Sequence, residues 1–296
     1  MLNLASSRVV AVVNLASGGS DTQSPDRIRA IFEEVGLANC DVVSVGPEAL
    51  DAALSDAVAH ADVVAVLGGD GTIRSAAAKC GTADKLLIPL PGGTMNMLPH
   101  ALYGDRVWEA ALKDTLADPI IQGVSGGRAG SELFFCAAVL GAPTLWADAR
   151  EALRHLDVIE AAKRSATAIR RSHDKPLAYQ FDDLAQGSAE AVAVICPLVS
   201  RGLADDEPCL EAAAIEPQTA AGLFRLAFHA VFEDWRQDPS VCLGKITRVR
   251  VVGHGRVPLI LDGEKTRLGR IVNIKFVPQA FRALVPAATP ACDVAT

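Results

Sequence analysis

No two cysteines stand at CxxC spacing, and no two histidines stand at HxxH or HxxxH spacing. The seven cysteines (40, 80, 136, 196, 209, 242 and 292) are odd in number and scattered. They read as reduced thiols of a cytosolic protein rather than as disulfides or a zinc site. A metal cage built only from protein ligands is not signalled. The chain also lacks any apolar run of roughly eighteen residues, so no bilayer-spanning helix is expected. Excess positive charge is missing too. With a formal net charge of −7 and a pI near 5.4, no broad cationic face for nucleic acid is expected. Two phosphate-binding signatures are absent as well: GxxxxGK(S/T), and GxGxxG after a strand. The opening MLNLASSRVV is too short and too polar for a leader, because the apolar run after Arg8 already reads as a strand.

What is present is a chain of 296 residues, half of them hydrophobic, enough for one large core or two modest ones. The first third alternates between strand-like and helix-like segments. RVVAVVNLAS, CDVVSVG, ADVVAVLGG and KLLIPLPGG are β-rich and mostly continuously apolar. Between and after them lie SPDRIRAIFEEVGL, PEALDAALSDAVAH, TIRSAAAKC, NMLPHAL and DRVWEAALKDTLA, all with helical character. Ser24 is the expected N-cap of the first helix, with Pro25 at its first helical position. Such alternation predicts a doubly wound α/β domain with a parallel sheet covered on both faces. After about Asp118 the texture changes. IIQGVSGGRAGSELFFCAAVLG reads as two strands around a Gly-rich turn, and a long helical stretch covers TLWADAREALRHLDVIEAAKRSATAIRRSH. LAYQFDD, AEAVAVICPLV, CLEAAAI, TRVRVVGHG, VPLILDGEKTRL and RIVNIKFVP then return to strand, interrupted by the helix TAAGLFRLAFHAVFEDW. The expected organisation is an α/β domain over 1–117, a mostly antiparallel β domain over 118–286 and a frayed tail over 287–296.

Three expected strand ends carry glycine with small polar side chains. ADVVAVLGG runs into Gly68, Gly69, Asp70, Gly71 and Thr72; KLLIPLPGG ends in Gly92 and Gly93 before Thr94 and Asn96; the first strand ends in Asn14, Ser17, Gly18 and Gly19. In open α/β sheets ligands bind outside the carboxyl ends of strands. Glycines there let backbone N–H groups approach an anion, and a helix N-terminus favours negative charge. Asp70 beside a phosphate calls for a bridging Mg²⁺ or an accepted hydroxyl; the plain alternative is a tight turn with a capping Asp. Three such ends on one edge point to a nucleotide site. GVSGG (Gly123 to Gly127) matches GxSxG, but an esterase elbow needs a strand-to-helix turn, and strands flank these glycines.

GGDGT, followed about twenty residues later by PGGTMN, resembles the diacylglycerol kinase catalytic-domain family, which includes sphingosine and ceramide kinases. NLASGG stands where that family shows Asn-Pro-x-Ser-Gly, and LDGEKTRLGRIVNIKFVPQAFRALVP resembles its Asp-Gly-Glu segment and closing strand. The likeness covers nearly the whole chain. It implies an α/β nucleotide domain plus a β-sandwich, ATP and Mg²⁺ as cofactors, and phosphoryl transfer to a lipid hydroxyl. It further implies that Gly68, Gly69, Asp70, Gly71 and Thr72 hold nucleotide phosphates, with Asn14, Ser17, Gly18, Gly93, Thr94 and Asn96 around the nucleotide. By the same likeness Glu264 is the general base, Asp262 lies beside it, and Asp70 acts on the phosphate side. A structural Mg²⁺ falls to Asp206 or Glu207, because the usual Asp-Asp-Gly appears only as ADDEPCLEA. Met97 and His100 replace the family's Asp and Arg, and LGAPTLWADA stands where the family has Gly-Phe-Asp-Ala. The Asn-Gly and Gly-Gly-Gly elements expected around 185–204 are missing.

Asp262-Gly263 is also what a two-residue hairpin turn favours, and such a turn can itself present Glu264. Phe224, Phe228 and Phe232 recur at helical spacing, either as a core-facing stripe or as the lining of an acyl-chain cleft. Arg150, Arg154, Lys163, Arg164, Arg170, Arg171 and Lys175 follow Trp146 as a solvated helix face or as a contact with anionic headgroups. The expected partner is a lipid at the membrane surface, met from the cytoplasmic side, with no nucleic acid. An NAD kinase would carry an Asn followed by an acid, and none of the asparagines (3, 14, 39, 96, 273) is. A noncatalytic nucleotide- or lipid-binding module is the alternative from another class.

Overall fold

The computed structural model describes residues 4–141, 176–216, 236 and 238–287. The chain forms two compact units, Met1–Ser125 with Pro278–Thr296, and Gly126–Val277. From the sequence alone a single linear boundary at 117/118 is expected. The first unit is instead discontinuous, because the last strand returns to it.

In the first unit β1 (Val9–Asn14), β2 (Cys40–Val45), β3 (Val63–Gly68) and β4 (Leu86–Pro91) alternate with α1 (Ser24–Glu34), α2 (Leu50–His60) and α3 (Asp70–Thr82). After β4 come α4 (Met97–Tyr103) and α5 (Trp108–Ala117). Val9–Val13 and Val63–Leu67 are buried at every position, as strands covered on both faces require. The strands pair in parallel in the order β2-β1-β3-β4. Arg282 and Ala283 of the final strand β16 (Ile271–Pro286) add a fifth parallel partner beside Leu86 and Leu87. Because the order reverses between β2 and β3, right-handed crossovers put α1 and α2 on opposite faces. Ion pairs follow the layers. Arg27–Glu109 (2.9 Å) and Lys113–Glu34 (2.7 Å) join α1 to α5, and Lys79–Asp51 (2.9 Å) joins α2 to α3. The Arg27 guanidinium also lies 5.2 Å from the ring centroid of buried Trp108.

Ser24 is not the N-cap of α1. It is the first helical residue, fully buried, and its Oγ accepts from the Asp21 N–H (3.0 Å) and donates to Asp21 Oδ1 (2.9 Å). That local turn uses the hydroxyl one position later than a cap would.

The second unit is antiparallel. β7 (Ala137–Gly141), β10 (Ala191–Ile195), β11 (Leu210–Ile215), β12 (Val241–Ile246), β14 (Pro258–Leu261) and β15 (Glu264–Arg267) form one sheet, ordered β12-β11-β10-β7-β14-β15. β9 (Ala185–Ala189) pairs with β8 (Leu177–Phe181), β8 with β13 (Arg248–Val252), and β13 with the first half of β16. Inward residues of both sheets, Leu140, Val192 and Leu259 against Phe181, Val251 and Ile274 among them, share one apolar core. The expected sandwich is therefore present. β9 and β12 were not expected, and the two long helical stretches with Phe224, Phe228, Phe232 and the basic residues from Arg150 to Lys175 lie outside the described residues.

GVSGG does not turn the chain. It lies inside β5 (Pro119–Ala129), and the turn comes at Gly130, which has φ 62°, before β6 (Glu132–Phe134). Three strands thus stand where two were expected. Gly127 sits directly opposite Phe134 in the ladder, and a Cβ there would overlap the buried Phe134 ring. Gly127→Val should expel that ring and cost about 1–3 kcal/mol, lowering the melting temperature by several degrees in a thermal scan.

Candidate active site

The first cluster sits where β1, β3 and β4 end. In the order 2-1-3-4 the crevice of a doubly wound sheet opens between β1 and β3. There Asn14, the last residue of β1, donates from Nδ2 to Thr72 Oγ1 in α3 at 2.9 Å. Asn14 Oδ1 accepts the Ala16 N–H at 3.0 Å, and its carbonyl accepts from Ser17 Oγ (2.8 Å) and Ser20 Oγ (2.7 Å). The first loop is thereby folded on Asn14. Its Gly19 N–H reaches the Gly92 carbonyl (2.8 Å), while the Gly92 N–H reaches the Gly68 carbonyl (3.0 Å). The loops after β3 and β4 touch backbone to backbone. A Cβ on Gly92 would stand 2.8 Å from Gly68 N, and one on Gly93 2.7 Å from Gly69 Cα. Glycine is required there by close approach, without any need for positive φ.

Asp70 is the first residue of α3, with Gly69 as its N-cap. Its carboxylate crosses to the next loop, where Oδ2 accepts the Asn96 N–H (3.0 Å) and Oδ1 accepts the Met97 N–H (2.7 Å). Asp70 therefore caps the start of α4 rather than its own helix. Asn96 has φ 49°, and its side chain closes a ring with Gly93, accepting the Gly93 N–H (2.6 Å) and donating to the Gly93 carbonyl (2.9 Å). Gly18 and Thr94 are exposed on these loops, and Gly69, Asp70 and Gly71 are half-buried. The first-turn N–H groups of a helix have no partner within the helix, so the start of α3 presents donors and the positive end of its dipole. Such an edge can hold a phosphate chain. The structure brings together Asn14, Ser17, Gly68, Gly69, Asp70, Thr72, Gly93 and Asn96, and adds Ser20 and the backbones of Gly19, Gly92 and Met97. Ser20 was legible only as another hydroxyl near the SGG turn.

The second cluster belongs to the second unit. Asp262 and Gly263 have φ of 46° and 86°, so both central residues of the β14–β15 hairpin are left-handed, as a type I′ turn requires. Asp262 is only 4% exposed. Its Oδ2 accepts the Phe135 N–H (2.8 Å), and its Oδ1 accepts those of Cys136 (2.8 Å) and Ala137 (2.9 Å). Burial and the neighbouring Asp262 charge push the Cys196 thiol well above its usual range, so that sulfur is no nucleophile. Glu264, two residues on, is exposed and makes no hydrogen bond or ion pair among the described residues. The two carboxylates have separated roles: Asp262 gathers backbone donors, and Glu264 stands unengaged among the described residues.

Asp206 is exposed, while Glu207 accepts from Lys245 Nζ (2.7 Å) and from the Ala204 N–H (3.1 Å). The Lys245 hydrogen bond holds the Glu207 carboxyl below the usual carboxylate range. Among the described residues no three His, Cys, Asp or Glu side chains are grouped to hold a metal ion. Nearby, Glu211 is 5% exposed; it accepts from Arg236 Nε (2.5 Å) and Nη2 (3.1 Å) and pairs with Ser200 Oγ. The lone acid inside the apolar run CLEAAAI was its only signal in the sequence.

Asp262→Asn places an amide donor against backbone donors. It should cost about 2–3 kcal/mol in denaturant unfolding, whereas Glu264→Gln at its exposed position should change stability by less than about 0.5 kcal/mol.

Residues 8–125 match the family described as "Diacylglycerol kinase catalytic domain". Comparison with curated proteins finds no match. Among solved structures the chain is similar to a diacylglycerol kinase from Bacillus anthracis str. Sterne, with 17% identity, a TM-score of 0.72, and coverage of 96% of this chain and 98% of that one. A second structure from the same organism, titled as a candidate diacylglycerol kinase, aligns at 15% identity with a TM-score of 0.73 over the same shares. Residues 8–125 thus carry the match to the diacylglycerol kinase catalytic-domain family, and the chain as a whole shares the fold of these solved structures.

Proposed function

We propose that the chain is an ATP-dependent lipid kinase that phosphorylates the hydroxyl of diacylglycerol or of a ceramide-like or sphingoid lipid. It would work as a cytoplasmic enzyme that meets its acceptor at the membrane surface. The observation that carries this reading is the knitting of the three strand-end loops at the start of α3, inside the segment with the family match. Among the described residues no helix is long and apolar enough to cross a membrane.

ATP supplies the γ-phosphoryl group and departs as ADP with the electron pair of the broken phosphorus–oxygen bond, while Mg²⁺ neutralises phosphate charge when bound. The N–H groups at the start of α3 would bind the phosphate chain, with the exposed Gly18 and Thr94 around it. Asp70 fits a role toward the metal, since each of its oxygens accepts one N–H and keeps a second lone pair for a metal-bound water. Glu264 would take the acceptor's hydroxyl proton as the lipid oxygen bonds to phosphorus; its lack of partners leaves it available for that task. Asp262 fits a positioning role, because its cage of three N–H groups fixes the hairpin that carries Glu264.

A kinase assay with ATP and a panel of lipids, with NAD as a competing acceptor, tests the reading. Efficient phosphorylation of NAD with none of any lipid would overturn it. Glu264→Gln should lower turnover by about 10²- to 10⁴-fold with ATP affinity unchanged; wild-type turnover in that variant would remove Glu264 from the chemistry. Asp70→Asn offers one fewer acceptor to the start of α4. It should lower both turnover and melting temperature, and a drop in melting temperature with normal turnover would confine Asp70 to structure.

A further inference from the structure

A groove of about 420 Å³ lies on the second unit's β8–β13–β16 sheet, lined by Gln180, Asp182, Arg248, Arg250, Asn273 and Lys275 among others. The strand register stacks its charges. Arg248 stands directly opposite Lys275, and Arg250 stands opposite Asn273 on one side and Gln180 on the other. Residues directly opposite in an antiparallel pair share a face, so these side chains rise from the same side of the sheet. Like charges placed directly opposite each other destabilise a sheet. Asp182 relieves only part of this. It accepts the Thr247 N–H (2.7 Å) and makes a long 3.5 Å contact with Arg248 Nε, while Asp183 also lines the groove. Arg250 and Lys275 have no ion-pair partner among the described residues and are exposed. Three cations thus crowd one sheet face of a protein whose net charge is −7.

The border of this face is apolar. Ile271, two and four residues before Asn273 and Lys275 and so on their side of β16, is 46% exposed; Leu184, next to Asp183 in the β8–β9 turn, is 70% exposed. A cluster of cations with exposed aliphatic side chains at its border suits an anionic bilayer, where phosphates meet the cations and the aliphatic groups enter the interface. A site for a free anion has no use for Ile271 and Leu184 in water.

We propose that this face, centred on Arg248, Arg250 and Lys275, docks the protein on anionic phospholipid headgroups. The inference deepens the lipid-kinase reading and rests on it only for the choice of a lipid surface. It is measured without nucleotide, so its failure and a failure of kinase activity are separate results. The test is co-sedimentation of the full chain with phosphatidylcholine vesicles, with and without phosphatidylglycerol. The wild type should sediment with the anionic vesicles only, and less so as sodium chloride is raised. R250Q/K275Q keeps the Arg248–Asp182 contact and should weaken binding roughly fivefold per cation, on the order of 25-fold together, with melting temperature and turnover on detergent-solubilised lipid unchanged. Binding of that variant equal to wild type, or equal wild-type binding to both vesicle types, would overturn the proposal. So would release by inorganic phosphate at an ionic strength where sodium chloride has no effect, since the groove would then hold free phosphate.

Discussion

The first unit depends on a close approach of two backbones. The loops leaving β3 and β4 lie in contact because Gly68, Gly69, Gly92 and Gly93 carry no side chains, and the Asp70 carboxylate then spans the junction to hold the start of α4. A carboxylate accepting two N–H groups at a helix start gains both the hydrogen bonds and the favourable end of the dipole. Everything else at that edge hangs from this contact. Gly19 reaches the Gly92 carbonyl because Gly92 is held against Gly68, and Asn14 meets Thr72 because α3 begins at a fixed height above β1.

The second unit uses the same device once more, with a buried carboxylate collecting backbone donors. Asp262 takes three N–H groups from the residues linking β6 to β7. It does so from a left-handed turn, a conformation Asp tolerates better than most residues. The neighbouring Glu264 is left without such duties.

Much of this was legible in the residues. Four runs, most of them continuously apolar and separated by helical segments, point to a parallel sheet, and three Gly-rich ends on its carboxyl edge mark the candidate site. Asp262-Gly263 read correctly as a hairpin turn because its signal is local. What escaped the sequence is non-local or compositionally weak. The partners of Asp262 lie more than a hundred residues earlier in the chain, and the N–H groups claimed by Asp70 belong to another loop. β9, as AQGSA, and β12, as VCLGKI, lack the alternation that announces a strand. Ser24 shows a different limit: a residue type favoured at caps can be recruited by the preceding Asp21 instead.

The final strand serves both units. Its first half pairs with β13, and beyond Pro278 it lies beside β4, where Arg282 and Ala283 meet Leu86 and Leu87. A nascent chain leaves the ribosome from its N-terminus, and domains generally fold as they emerge. Here the amino-terminal sheet must wait for residues beyond Pro278, made after the whole second unit, before its fifth strand exists. Until then β4 is an uncovered edge, with unpaired donors and acceptors of the kind that invite wrong partners. The gap in the chain between Ser125 and Pro278 thus makes completion of this sheet, and with it maturation of the strand-end loops, wait until the whole second unit has been synthesised.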